Sequence, residues 1–99
     1  MANCQLTGAL PPWLGQLTEL RQLDLQRNSL SGTIPIDIAS CYSLLYLNLK
    51  DNEHLNGRIP IEALSCLTKL NRLSLVHCNF ENATLSTLQG KLPRCKIWM

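Results

Sequence analysis

The sequence predicts a single α/β unit. It is a right-handed solenoid, or horseshoe, with a parallel β-sheet lining its concave side and short 3₁₀ or helical segments on its convex side. Three observations carry this. The string Leu20-x-x-Leu23-x-Leu25-x-x-Asn28-x-Leu30 returns as Leu44-x-x-Leu47-x-Leu49-x-x-Asn52, and again as Leu70-x-x-Leu73-x-Leu75-x-x-Cys78-x-Phe80. The leucines that open these runs, with Leu92 after them, stand 24, 26 and 22 residues apart. A second string, Leu30-Ser31-Gly32-Thr33-Ile34-Pro35, recurs as Leu55-Asn56-Gly57-Arg58-Ile59-Pro60 and Leu6-Thr7-Gly8-Ala9-Leu10-Pro11. Units this short cannot bury an apolar face alone, so they must stack. The full units are 20–43, 44–69 and 70–91, flanked by partial units at 1–19 and 92–99, which reads as a piece of a longer solenoid.

Each element follows from its local pattern. In the Leu-x-Leu core of each run, period-two alternation sends Leu23 and Leu25 to one side and Gln22, Asp24 and Gln26 to the other. That is a short half-buried strand, and stacked units set equivalent strands about 4.8 Å apart as a parallel sheet. The chain then turns away and leaves backbone groups unpaired. A buried asparagine amide supplies donors and an acceptor for them. Asn28 and Asn52 hold that position, and Cys78 and Cys4 replace it with a weaker thiol donor. Beyond the prolines, apolar residues step by three (Pro11, Leu14, Leu17, Leu20; then Pro35, Ile38, Cys41, Leu44), the spacing of a 3₁₀ turn. The second full unit carries an extra residue around Glu53-His54, read as solvated loop, and another around Glu62-Ala63. The third loses its glycine and proline, and its convex segment, Ala83 to Leu92, is expected to be a longer helix with Leu85 and Leu88 inward. The final Leu92-x-x-Cys95-x-Ile97 is expected to be another strand, with Cys95 in the column of Leu23, Leu47 and Leu73.

These strings resemble the leucine-rich repeats, whose period runs roughly 20–29 residues. The Leu-x-Gly-x-Ile-Pro copies resemble the plant-specific class found in ectodomains of plant receptor kinases and receptor-like proteins. The resemblance covers Asn3 to Ile97. It implies a second short strand after each ladder residue, a twisted solenoid, and a recognition role outside the cell. The irregular third unit departs from that pattern.

Composition excludes several classes. The net charge is +2 with both signs dispersed, too weak a field to argue for nucleic acid or an anionic membrane surface. No apolar run approaches the roughly 18 residues of a membrane span. The first residues lack the basic-then-apolar pattern of a signal peptide, which leaves a cytoplasmic location as the alternative to the cell surface. Five cysteines cannot all pair within one chain. Cys41 aligns with Leu17 and Leu67 at inward positions, Cys66 is one residue out of register with it, and the set reads as structural thiols. No metal-ligand spacing, cofactor motif, phosphate loop or nucleophile elbow occurs, so neither a cofactor nor an enzyme is expected. His77 beside Cys78 does not make a catalytic pair, because strand neighbours point to opposite faces.

Recognition is expected on the outward strand positions. Their columns are Gln22, Tyr46, Arg72 and Arg94; Asp24, Asn48, Ser74 and Lys96; and Gln26, Lys50 and Val76. Tyr46 and Arg72 are residue types enriched at binding hot spots. Lys50, Arg72, Arg94 and Lys96 favour a mildly acidic protein or peptide partner. Asn82-Ala83-Thr84 is an N-glycosylation sequon. Strand edges and apolar ends, Trp98 and Met99 among them, are expected to favour self-association. The reading is a ligand-recognition segment of a plant-type receptor ectodomain. The alternatives are an intracellular scaffold, or a truncated or designed solenoid without independent function.

Overall fold

The computed structural model describes residues 7–80 and 85–99, and its strands form two parallel sheets. The Leu-x-Leu runs make the concave sheet. It consists of β2 (Gln22–Asp24), β4 (Tyr46–Asn48), β6 (Arg72–Ser74) and β7 (Lys96–Trp98), in that order. The Leu-x-Gly segments make the second sheet, β1 (Thr7–Ala9), β3 (Ser29–Gly32) and β5 (His54–Leu55). His54, expected in a solvated loop, instead opens β5 opposite Ser31, although its side chain stays exposed. The third full unit adds no strand to this second sheet among the described residues, in keeping with its missing glycine and proline.

Convex geometry tracks residue count. Pro12–Gln16 and Ile36–Ser40 are 3₁₀ turns; Leu14, Leu17 and Leu20 along the first segment, and Ile38, Cys41 and Leu44 along the second, each donate N–H to the carbonyl three residues earlier. The extra residue near Glu62 relaxes this step. Leu64 N–H reaches Pro60 O at 2.9 Å, an i→i−4 bond, and Ile61–Ser65 (α1) is α-helical. The longer convex helix is α2, Leu85–Lys91, with Leu88 fully buried.

Side chains from every unit meet in one aliphatic core. Leu44, Leu47, Leu49, Leu55, Leu64, Leu67 and Leu73 are all at most 1% exposed. Leu23, Leu47 and Leu73 stand in one column by strand register. Under them runs the polar ladder. Asn28 Nδ2 donates to Leu25 O at 3.0 Å. Asn52 Nδ2 donates to Leu25 O (2.9 Å) and Leu49 O (3.0 Å), while its Oδ1 accepts from Leu30 N at 3.2 Å. Cys78 Sγ donates to Leu49 O at 3.0 Å, so the thiol keeps one of the amide's bonds. Cys4 lies outside the described residues.

One expectation is overturned at the last strand. Leu73 pairs with Ile97, not Cys95, which places Lys96 beside Arg72 and Trp98 beside Ser74. Cys95 N–H donates to Leu92 O, as Leu70 N–H donates to Leu67 O. Cys95 therefore ends the convex turn, as Leu70 does. One residue, Asn71, separates Leu70 from the start of its strand, whereas Cys95 is followed directly by Lys96. The Leu92-x-x-Cys95-x-Ile97 string imitated the repeat consensus ahead of the true strand.

Candidate ligand-recognition face

The concave sheet presents rows of side chains across its strands. Gln22, Tyr46, Arg72 and Lys96 form the first row, and Asp24, Asn48, Ser74 and Trp98 the second. Gln26, Lys50 and Val76 follow at the C-terminal ends of the strands and are half-buried. Arg94, expected in the first row, is exposed in the turn before β7, and Lys96 takes its place. Sequence reasoning missed Trp98 as a concave residue. It is 47% exposed in the row of Asn48, and a strand register two residues later would have found it.

Not every outward position is free to contact a ligand. Asn48 is only 6% exposed. Its Oδ1 accepts from Lys50 N at 3.0 Å, and its Nδ2 donates to Tyr46 Oη at 2.8 Å. Its role is therefore internal, because a side chain short enough to bond its own strand is covered by the longer ones beside it. Asp24 is similarly engaged: one oxygen accepts from Gln26 N (3.3 Å), the other from Gln26 Nε2 (3.2 Å). Tyr46 is half-buried and Arg72 exposed. No ion pair among the described residues involves Arg72. Gln22, Leu45, Tyr46, Asn71 and Arg72 line a shallow cleft at the N-terminal ends of β2, β4 and β6.

At the other end of the strands a second column forms. Arg27, Asp51 and His77 occupy equivalent positions in successive units, all with positive φ (56°, 61° and 61°). Stacking brings His77 Nδ1 to 2.6 Å from Asp51 Oδ1 and Arg27 Nε to 3.7 Å from Asp51 Oδ2. The His77 hydrogen bond lowers the Asp51 pKa first. Partial desolvation opposes the shift, and the charges of His77, Lys50 and Arg27 reinforce it. His77 thus turns toward Asp51, and Cys78 bonds Leu49 O instead.

The described cysteines (Cys41, Cys66, Cys78 and Cys95) are free. Burial raises the pKa of Cys41 and Cys78 and pushes Cys95 up to about 11. These three remain thiols at neutral pH and act as hydrogen-bond donors, which makes them poor nucleophiles. Cys41 Sγ, for example, donates to Leu14 O of the preceding unit at 3.1 Å. Cys66, out of register, is exposed. Among the described residues no three His, Cys, Asp or Glu side chains gather as a metal site, and no helix is long and apolar enough to cross a membrane. Asn82 lies outside the described residues.

Comparison with known proteins places this geometry. A family model described as Leucine Rich Repeat matches residues 19–41. The receptor protein-tyrosine kinase CEPR1 of Arabidopsis thaliana is 36% identical over 78 residues, 79% of this chain and 8% of its own length. The crystal structure of the LRR ectodomain of the receptor kinase SOBIR1 from Arabidopsis thaliana superposes with a TM-score of 0.80 at 32% identity. That match covers 94% of this chain and 49% of the solved one. The plant peptide hormone receptor RGFR1, solved in complex with RGF2, gives a TM-score of 0.83 at 36% identity over 94% of this chain and 15% of its own. The chain thus spans under a tenth of the length of CEPR1 and about half of the solved SOBIR1 ectodomain. With three in-register strand columns, an asparagine ladder and a second sheet built from Leu-x-Gly segments, the chain belongs to the leucine-rich repeat proteins, in their plant-specific repeat class.

Proposed function

We propose that this chain is a ligand-recognition segment that binds a protein or peptide through its concave face, as part of a plant-type receptor ectodomain at the cell surface. The observation that carries this reading is the likeness, across 94% of the chain, to a plant peptide hormone receptor solved in complex with RGF2. The concave surface supports it. Its first row combines an amphipathic phenol, a guanidinium and an ammonium (Tyr46, Arg72, Lys96) in register, and among the described residues no ion pair holds Arg72 back. Tyrosine couples apolar area to a polar tip, and arginine offers a planar fork of donors. The exposed basic side chains make a mildly acidic partner the better fit.

Selection of binders from a displayed peptide library, followed by calorimetry, tests the face. Alanine at Tyr46 or Arg72 should weaken a selected binder by roughly 1–2 kcal/mol. Alanine at the exposed convex residues Gln16 and Glu62 should leave it unchanged. Loss of binding on the convex side alone would place recognition elsewhere.

A further inference from the structure

The Asn48 amide is oriented by a group that can only donate. Lys50 N–H, 3.0 Å from the amide, requires an acceptor, so Oδ1 must face it. Nδ2 then points the other way and meets Tyr46 Oη at 2.8 Å. An amide nitrogen is a donor only, so the phenol oxygen must accept. This settles the hydroxyl's polarity: one lone pair is taken, and its proton has no acceptor among the described residues. Tyr46 therefore presents a donor toward its surroundings.

Those surroundings are the cleft lined by Gln22, Leu45, Tyr46, Asn71 and Arg72, with no carboxylate among its walls. Tyr46 and Arg72 are cross-strand partners, so their side chains emerge from adjacent strands about 4.8 Å apart. The nearest acid by register is Asp24, opposite Asn48, and both of its oxygens are engaged by Gln26. A phenol donor beside a guanidinium that has no ion-pair partner among the described residues suits a planar group carrying two acceptor oxygens. The row continues on both sides of the Tyr46–Arg72 pair, to Gln22 on β2 and Lys96 on β7. A ligand chain can therefore pass across it rather than end there.

We propose that Asn48 is a positioning residue. It holds Tyr46 as a hydrogen-bond donor so that the Tyr46–Arg72 cleft selects the side-chain carboxylate of an aspartate or glutamate in an acidic peptide crossing the sheet, over the matching amide. This rests on the concave-face reading above and adds the chemistry of one contact within it.

The probes are N-acetyl-glutamate methylamide and N-acetyl-glutamine methylamide, titrated into the ¹⁵N-labelled 99-residue chain and followed by NMR. The glutamate compound should shift the Arg72 Nε–H and Asn71 side-chain signals and bind roughly fivefold tighter than the glutamine compound. N-acetyl-glycine, whose only carboxylate is terminal, should bind more weakly than the glutamate compound. Arg72→Gln should abolish the discrimination, while Lys69→Gln, an equal charge change at an exposed site elsewhere, should keep it. Tyr46→Phe should reduce it severalfold and Asn48→Ala nearly as much. In the Tyr46→Phe background, Asn48→Ala should have no further effect, because its route of action is gone. A full additional loss in that background would show that Asn48 acts structurally and overturn the positioning role. Equal binding of acid and amide, or no shift at Arg72 with either, would overturn the cleft assignment. If library peptides still bind the concave face in that case, the functional reading stands and only this inference fails.

Discussion

At the scale of single residues, the ladder shows how one side-chain type controls a junction between repeats. Asn52 is completely buried and serves Leu25 O, Leu49 O and Leu30 N at once, so its amide bridges two units through both of its ends. Asn52→Ala would leave these backbone groups without partners in the interior. It should cost about 2–3 kcal/mol by chemical denaturation. Cys78, at the same position one unit later, donates to Leu49 O from a weak S–H donor and has no amide oxygen to accept. Cys78→Asn should therefore raise the melting temperature by a few degrees, and a fall would mean that the site cannot hold the larger amide. A neighbouring position is sensitive to acid. The His77 hydrogen bond holds the Asp51 carboxyl below its ordinary pKa of about 3.9. A carboxylate depressed in the folded state adds stability above its unfolded value, and loses it as pH falls through the folded one. The Asp51 carboxylate's part in this contact should thus be lost as pH falls below about 4. In an NMR pH titration, His77→Ala should move the Asp51 midpoint upward; an unchanged midpoint would show that the contact does not set it.

At the scale of elements, backbone conformation separates positions that the sequence writes alike. Gly8, Gly32 and Gly57 stand at the same place in three Leu-x-Gly copies, with φ of +84°, +75° and +76°. An L-residue pays for the left-handed conformation at each. Only at Gly57 would a new Cβ also collide with a neighbouring side chain, the Thr33 methyl of the preceding unit; at Gly8 it would meet open space. Gly57→Ala should therefore destabilise more than Gly8→Ala in thermal melts. Thr33→Ser, which removes the colliding methyl, should recover most of the difference. Equal losses would assign the whole cost to φ. The same contrast shows what was legible beforehand. Strand position, core facing and the ladder could be read because leucine spacing and strand alternation share one cause, burial on a single face. The register of β7 could not be read. Leu92, Cys95 and Ile97 carry the right spacing for the wrong turn, and only the backbone pairing of Lys96 to Asn71 O distinguishes them. Asn48 was misjudged for a related reason. Alternation gives the side of the sheet on which a side chain emerges, but a short amide caught by Lys50 and Tyr46 is covered there.

At the scale of the whole molecule, the concave sheet has direction. All four of its strands are parallel, and among the described residues β2 and β7 are its outer members. Leu25 N–H points inward to Asn48 O, and Arg21 O accepts from Leu45 and Tyr46. By alternation, the backbone groups of Gln22 and Asp24 point outward from β2. Lys96 N–H donates to Asn71 O and Trp98 O accepts from Leu75, so Ile97 points outward from β7. The two edges are unlike and face opposite ways, so the natural contact joins β2 of one copy to β7 of another in the same parallel sense. Such a contact is head-to-tail, so a dimer keeps one free edge at each end and addition runs past it. The 99-residue chain should therefore associate progressively in sedimentation, its average mass rising with concentration without a plateau at the dimer. Gln22→Pro removes an outward N–H at the first residue of an edge strand, where proline is tolerated, and should shift the population to monomer. Ile36→Ser, at a convex residue 76% exposed, should leave the association unchanged. If Ile36→Ser rather than Gln22→Pro disperses the assemblies, the contact is an apolar convex one. A wild-type monomer melting cooperatively well above about 60 °C would show that neither edge recruits a neighbour.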